Sequence, residues 1–184
     1  NTNAIHQYFS CRNSKLMSNI HVVQPDEIYA SPSDIFIPNA LGGTLNKQTI
    51  PNIKANIICG TANNQLSEES DAELLAKYNK TWIPDYIVNR MGLVNCANEN
   101  YGRLVNDPEI EKHYSSNYPH SLGNTLKDIN RIAIEERCNL NTAANFLADS
   151  YIKHPHPIFG NRFNDIIVNL SKRQERLSKY NVEL

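Results

Sequence analysis

No apolar stretch in this sequence approaches the roughly 20 residues needed to span a bilayer, so no membrane-spanning helix is expected. Net charge is only −1, which excludes a general attraction to nucleic acid or to an anionic membrane. There is no C-x-x-C pair: cysteines stand apart at 11, 59, 96 and 138, which argues against a zinc site. No G-x-S-x-G elbow presents a nucleophilic serine. The opening NTNAIHQYFS lacks the basic start and apolar core of a signal peptide. Cys59 sits in an apolar run, where a free thiol behaves as a small hydrophobe. Together these absences predict reduced thiols and a cytoplasmic protein. No internal repeat, low-complexity tract or linker interrupts the chain.

What is present is an ordinary globular composition. With 40% hydrophobic and 20% charged residues among 184, one domain with a real core is expected. Four apolar runs read as strands: IHVV (20–23), DIFIPNA (34–40), NIICGT (56–61) and WIPDYIVN (82–89), the last interrupted by Pro84. PDEIYA after the first suggests a helix start. LSEESDAELLAKYNK (66–80) opens in acids and closes in Lys, matching a helix dipole. Strands separated by helical or turn segments imply βαβ units and a mainly parallel sheet. Beyond residue 95 the strands stop. Helices are expected over 125–140, with Thr125 and Asp128 resembling a capping box, over 141–154 from an Asn cap, and over 164–180. AIHQYFSCRNSKLM (4–17) reads as the tail of a further helix.

The ends of the runs carry the chemistry. DIFIP leads into Asn39, Ala40, Leu41 and two glycines; NIICG leads into Thr61, Ala62, Asn63 and Asn64; DYIV leads into Asn89, Arg90 and Met91. Parallel α/β sheets bind ligands at the carboxyl ends of their strands. An Asn side chain donates and accepts at once, so it suits a carboxamide such as that of nicotinamide, or an amino group beside a carboxylate. Gly and Ala let backbone approach a flat ring. Against this, Asn accounts for 26 of the 184 residues, and Asn also caps helices and makes turns.

DIFIPNALGGTLNKQTIPNIKANIICGTANNQL and WIPDYIVNRMGLVNCANENYG resemble, in order and spacing, motifs of the leucine, phenylalanine and valine dehydrogenase family. The resemblance runs from residue 20 to about 103 and continues more weakly through the helices at 125–152. It implies an α/β fold, an incomplete Rossmann-like doubly wound parallel sheet followed by C-terminal helices. Residues 1–92 would be the NAD-binding portion and 93–184 a helical segment packing against the cleft. It implies NAD-dependent oxidative deamination of an apolar L-amino acid to its 2-oxo acid, and a homo-oligomer. Asn39 is expected beside the cofactor as a strand-end amide; carried over singly, Ala40, Leu41, Asn64 and Asn89 match cofactor neighbours. Asn64 matches the Asn between nicotinamide ribose and substrate, and Asn89 the one associated with the carboxamide. Leu93 and Cys96 match positions shaping the substrate pocket, Asn63 falls at a variable position, and Gln65 is expected to begin the next helix.

Departures accompany the likeness. Arg90 and Met91 stand where the family has Ala-Gly, and a glycine position with positive φ would resist Met. Arg90 is either a surface arginine or a partner for a carboxylate. No G-x-G-x-x-G follows a strand, and no lysine lies in the family's glycine-rich catalytic context. The expectation is that glycine loop and catalytic lysines lie upstream in a longer enzyme, so that none of the catalytic residues is in this chain. The alternative is a catalytically inactive Rossmann-like binding or regulatory module derived from such a dehydrogenase. NAD against NADP stays open. His154 and His156 flank Pro155 without an evident third ligand, so no metal is expected; SKRQERLSKY lacks the interleaved aromatics of a stacking platform, so no nucleic acid is.

Overall fold

A computed structural model describes residues 20–99, 102, 105–152, 168 and 172. The helix expected at 4–17, the two histidines around Pro155 and, apart from 168 and 172, the helix expected at 164–180 lie outside these. The chain divides into two compact units, Asn1–Ala144 and Asn145–Leu184.

The sheet is parallel and ordered β1 (Ile35–Phe36), β2 (Ile57–Ile58) and β3 (Thr81–Trp82). Its register pairs Ile35 with Ile57 and Ile57 with Thr81, and Phe36 with Ile58 and Ile58 with Trp82. Successive side chains in a strand point to opposite faces. The row of Phe36, Ile58 and Trp82 therefore faces the core, with Leu45, Ile50, Ile53, Ala55, Ala72 and Leu75, while Ile35 and Ile57 remain exposed.

Between β2 and β3 lies α1 (Asp71–Lys77). Asp71 and Glu73 occupy its first turn and Lys77 its last, matching the dipole. It ends where Asn79 adopts a φ of 54°; Asn79 N–H donates to the Ala76 carbonyl and Lys80 N–H to that of Leu75, each at 2.9 Å. These paired bonds satisfy carbonyls that the helix would otherwise leave open. The helix is shorter than the expected 66–80 because Leu66 forms a parallel bridge with Leu45 and is drawn toward the sheet.

Three expectations are corrected. IHVV forms no strand, since these residues pair with no ladder among the described residues. PDEIYA forms turns rather than a helix: Pro25 and Pro32 bracket too few residues to propagate one. WIPDYIVN is a strand only over its first residues. Pro84 cannot donate to a ladder, and α2 (Asp85–Val88) begins directly after it.

Helices α3 (Arg90–Asn98), α4 (Pro108–Glu111), α5 (Leu122–Glu136) and α6 (Leu140–Ile152) follow. The cap of α5 is Ser121, whose Oγ accepts from Asn124 N–H at 3.3 Å; the expected box at Thr125 and Asp128 lies inside the helix, with Thr125 buried. Asn139, not Asn141, caps α6, its Oδ1 accepting from Thr142 N–H at 2.9 Å. Among the described residues no helix is long and apolar enough to cross a membrane.

Candidate functional site

The loops leaving β1 and β2 are locked together by a glycine. A Cβ on Gly60 would fall 2.2 Å from the Pro38 carbonyl oxygen, so only glycine permits this approach. Ala62 N–H donates to that carbonyl at 3.0 Å. Thr61 donates through both N–H and Oγ1 to Asn39 Oδ1, at 2.8 and 3.0 Å. Gly42 packs against the same loop, where its Cβ would meet the Asn63 and Asn64 carbonyl oxygens at 2.8 Å. Gly43 N–H donates to the Asn64 carbonyl at 2.8 Å and Leu45 N–H to that of Gln65 at 2.9 Å.

Gln65 is the pin beneath this surface. It is fully buried, Nε2 donating to the carbonyls of Gly60 at 2.8 Å and Ala62 at 3.1 Å. Its expected role, opening the next helix, is corrected: α1 starts at Asp71, and Gln65 satisfies loop carbonyls that burial would otherwise leave unpaired.

The segment after β3 joins from the other side. Asp85, buried in the first turn of α2, accepts the Asn64 N–H on Oδ2 at 2.9 Å. That bond holds Asn64 in the left-handed region at a φ of 54°, which Asn tolerates better than most residues. Asn89 Nδ2 donates to Asn63 Oδ1 at 2.6 Å. Asn89 therefore leaves a short helix rather than a strand end, a correction to its expected setting, yet it is joined to the β2 loop. Since β2 is the central strand, Asn39 and Asn89 flank the 61–64 loop from opposite sides.

Ala40 and Leu41 lie on the same β1 loop, Leu41 being 73% exposed. Leu93 and Cys96 are exposed on α3, and no hydrogen bond among the described residues ties them to the amide row. Arg90 donates from Nη2 to the His120 carbonyl at 2.6 Å and from Nη1 to Thr125 Oγ1 at 3.1 Å. Neither Arg90 nor Met91 has a positive φ, because α3 begins at Arg90; an ordinary helical backbone accommodates both.

The donor set suits a flat carboxamide ligand. Among the described residues, Asn39 Nδ2, the Asn64 side chain and Asn89 Oδ1 have no hydrogen-bond partner, offering both donors and an acceptor along one exposed edge. Burial pushes the Cys59 thiol up and keeps it protonated. Burial, with the Asp85 charge second, pushes Tyr86 up to about 12, and its hydroxyl donates to Asn141 Oδ1 at 2.9 Å. Among the described residues no three His, Cys, Asp or Glu side chains are placed to hold a metal. Asp85 and Gln65 were not legible as site supports. The available signal was a lone acid just after Pro84 and a Gln standing before, rather than within, the acidic helix start.

The sequence model of glutamate/leucine/phenylalanine/valine dehydrogenase matches residues 1–154. L-tryptophan dehydrogenase of Nostoc punctiforme is 42% identical over 134 residues, 72% of this chain and 36% of that protein. Leucine dehydrogenase of Bacillus cereus is 45% identical over 80 residues, 44% of this chain and 22% of that protein. Phenylalanine dehydrogenase of Lysinibacillus sphaericus is 41% identical over 91 residues, 50% of this chain and 24% of that protein. The crystal structure of the Nostoc enzyme superposes with a TM-score of 0.61 at 43% identity, over 70% of this chain and 36% of that one. A glutamate dehydrogenase from Thermus thermophilus shares the fold with a TM-score of 0.53 at 16% identity, over 77% of this chain and 33% of that one. The chain thus spans between 22% and 36% of the length of these curated relatives. With most of its residues matched by the family model, the chain belongs to the glutamate/leucine/phenylalanine/valine dehydrogenase family.

Proposed function

We propose that this chain is the cofactor-binding part of an NAD-dependent amino acid dehydrogenase that oxidatively deaminates an apolar L-amino acid to its 2-oxo acid. The observation that carries this reading is that the loop leaving the central strand is hydrogen-bonded to Asn39 on the β1 loop through Thr61 and to Asn89 at the end of α2 through Asn63. In this reading residues 1–92 form the nicotinamide side and 93–184 the helical segment, with proton-transfer lysines supplied from outside the chain. When bound, the nicotinamide supplies the hydride acceptor.

The chain's own residues bind and orient. Asn89 meets the carboxamide, Asn64 lies between ribose and substrate, and Asn39, Ala40 and Leu41 border the cofactor. Asp85 fixes the backbone of Asn64, so its side chain is presented without the entropy of a free loop. Leu93 and Cys96 supply apolar surface toward the substrate side chain. Relatives named for leucine, phenylalanine and tryptophan support an apolar substrate. The intact enzyme is a homo-oligomer.

The test is NADH formation by the full-length gene product over a panel of L-amino acids, with NADP run in parallel. Turnover concentrated on leucine, phenylalanine, tryptophan and valine supports the reading. No turnover with any of them points instead to a catalytically inactive module.

A further inference from the structure

Asn63 falls at a variable position of the motif, yet it makes the shortest contact in the amide row. We propose that Asn63 is a positioning residue that sets which way the Asn89 amide faces, and so selects a carboxamide over other substituents on the cofactor ring. This rests on the reading of Asn89 as the residue that meets that carboxamide.

A terminal amide has two nearly isosteric orientations that exchange donor for acceptor. Left to itself, Asn89 would present either. In the structure Asn89 Nδ2 donates to Asn63 Oδ1 at 2.6 Å, which turns the NH2 group sideways. The oxygen, which has no partner among the described residues, is then the atom left for a ligand. An acceptor there matches the NH2 of a carboxamide and offers nothing to an acetyl group.

The backbone on both sides of the pair is anchored. Asn63 sits between two anchored neighbours: Ala62 N–H bonds the Pro38 carbonyl at 3.0 Å, and Asn64 N–H bonds Asp85 Oδ2 at 2.9 Å. Gly42 closes over its carbonyl, leaving no room for a Cβ. Asn89 N–H bonds the Asp85 carbonyl at 2.8 Å. Asp85 thus anchors both sides of the amide pair, through its side chain on one and its backbone on the other. The side chain of Asn63 is exposed, so its duty is local and not one of core packing.

The experiment measures dissociation constants by calorimetry for NAD and for its 3-acetylpyridine analogue. It uses the full-length protein and its Asn63→Ala and Asn63→Asp variants, with melting curves as the fold control. Aspartate keeps an acceptor for Asn89 Nδ2; alanine removes it. Asn63→Ala is expected to weaken NAD roughly threefold to tenfold, the worth of one net hydrogen bond, and the acetyl analogue less than about twofold. Asn63→Asp is expected to stay within about twofold of the parent for NAD. Equal weakening of both cofactors by Asn63→Ala, no weakening of either, or Asn63→Asp as poor as Asn63→Ala would each overturn the proposal. A parent that binds no NAD overturns the underlying reading and this proposal with it. A parent that binds NAD beside an unaffected Asn63→Ala overturns only the role of Asn63.

Discussion

Trp82 Nε1 donates to Gln65 Oε1 at 3.1 Å across the buried floor of the site. The indole is on β3 and the amide on the β2 loop, so one side chain ties a core strand to the loop that carries Asn63 and Asn64. Gln65 meets three buried groups at once: two carbonyls and an indole N–H. Replacing it with Leu strands all three. Each unsatisfied buried polar group costs roughly 1–3 kcal/mol, so Gln65→Leu is expected to lower stability by about 3 kcal/mol or more. Gln65→Glu keeps the acceptor for Trp82, loses the donors and buries a charge, and is expected to do no better. Denaturant unfolding followed by the fluorescence of Trp82, the single tryptophan of this sequence, checks both. A shift below about 1 kcal/mol for either variant would contradict the pin.

Gly60→Ala tests the approach of the two loops. The added methyl would sit 2.2 Å from the Pro38 oxygen and 2.6 Å from its nitrogen, backbone atoms that cannot rotate away. Overpacking typically costs 1–3 kcal/mol and more where backbone must move, so about 3 kcal/mol or greater is expected here. The loops after β1 and β2 must then separate, which breaks the Thr61–Asn39 bonds. The checks are the yield of folded protein and its melting temperature. Gly43→Ala, with no heavy atom within 4 Å of its Cβ, is the control for steric crowding and pays only for its φ of 66°.

How much of this could be read from residues alone follows from what each feature depends on. The strands at DIFIP and NIICG were legible because β-branched and aromatic residues mark core rows, and their Phe36–Ile58 register follows from burial of one face. The helix at Asp85–Val88 was not, because a short apolar run fits a buried strand as well as a helix. Only Pro84, with its missing N–H, decides the matter once β3 has neighbours. The amides of Asn39, Asn64 and Asn89 were legible as chemistry, but their supports were not. Whether a Gln or Asp works beneath a site depends on contacts 17 to 21 residues away in the chain, which no local pattern carries. Helix caps failed by a turn or less: Ser121 and Asn139 compete with nearby Thr125 and Asn141 for the same duty, and tertiary packing chooses.

Arg90 links α3 to the start of α5, and the link is expected to be structural. Its guanidinium reaches the His120 carbonyl and Thr125 Oγ1 together. A single ammonium on a flexible stem does not reproduce that fork. Arg90→Ala is therefore expected to cost about 1.5–3 kcal/mol, as for hydrogen bonds to a charged group, and Arg90→Lys to recover less than half of it. Amide hydrogen exchange over residues 120–126 should quicken in both variants, while exchange over residues 71–77 in α1 should not. Unchanged exchange near Ser121 would remove Arg90 from the packing and return it to the solvent.

Tyr86 makes the stability of the fold sensitive to alkali. Its ordinary value is 10, and partial desolvation of a side chain that stays 44% exposed, with the Asp85 charge second, pushes it up to about 12 in the folded protein. The folded state therefore keeps a proton that the unfolded state has released between pH 10 and about 12. Stability falls wherever the unfolded state binds fewer protons, so the contribution of Tyr86 is complete below pH 10 and is lost as pH rises toward 12. Spectrophotometric titration at the phenolate band should show one late-titrating tyrosine that disappears in Tyr86→Phe. The same variant loses the hydroxyl bond to Asn141, costing about 1 kcal/mol at neutral pH, but its unfolding midpoint should decline less steeply above pH 10 than that of the parent. Parallel declines for parent and variant would mean that the phenol ionises as freely in the fold as outside it.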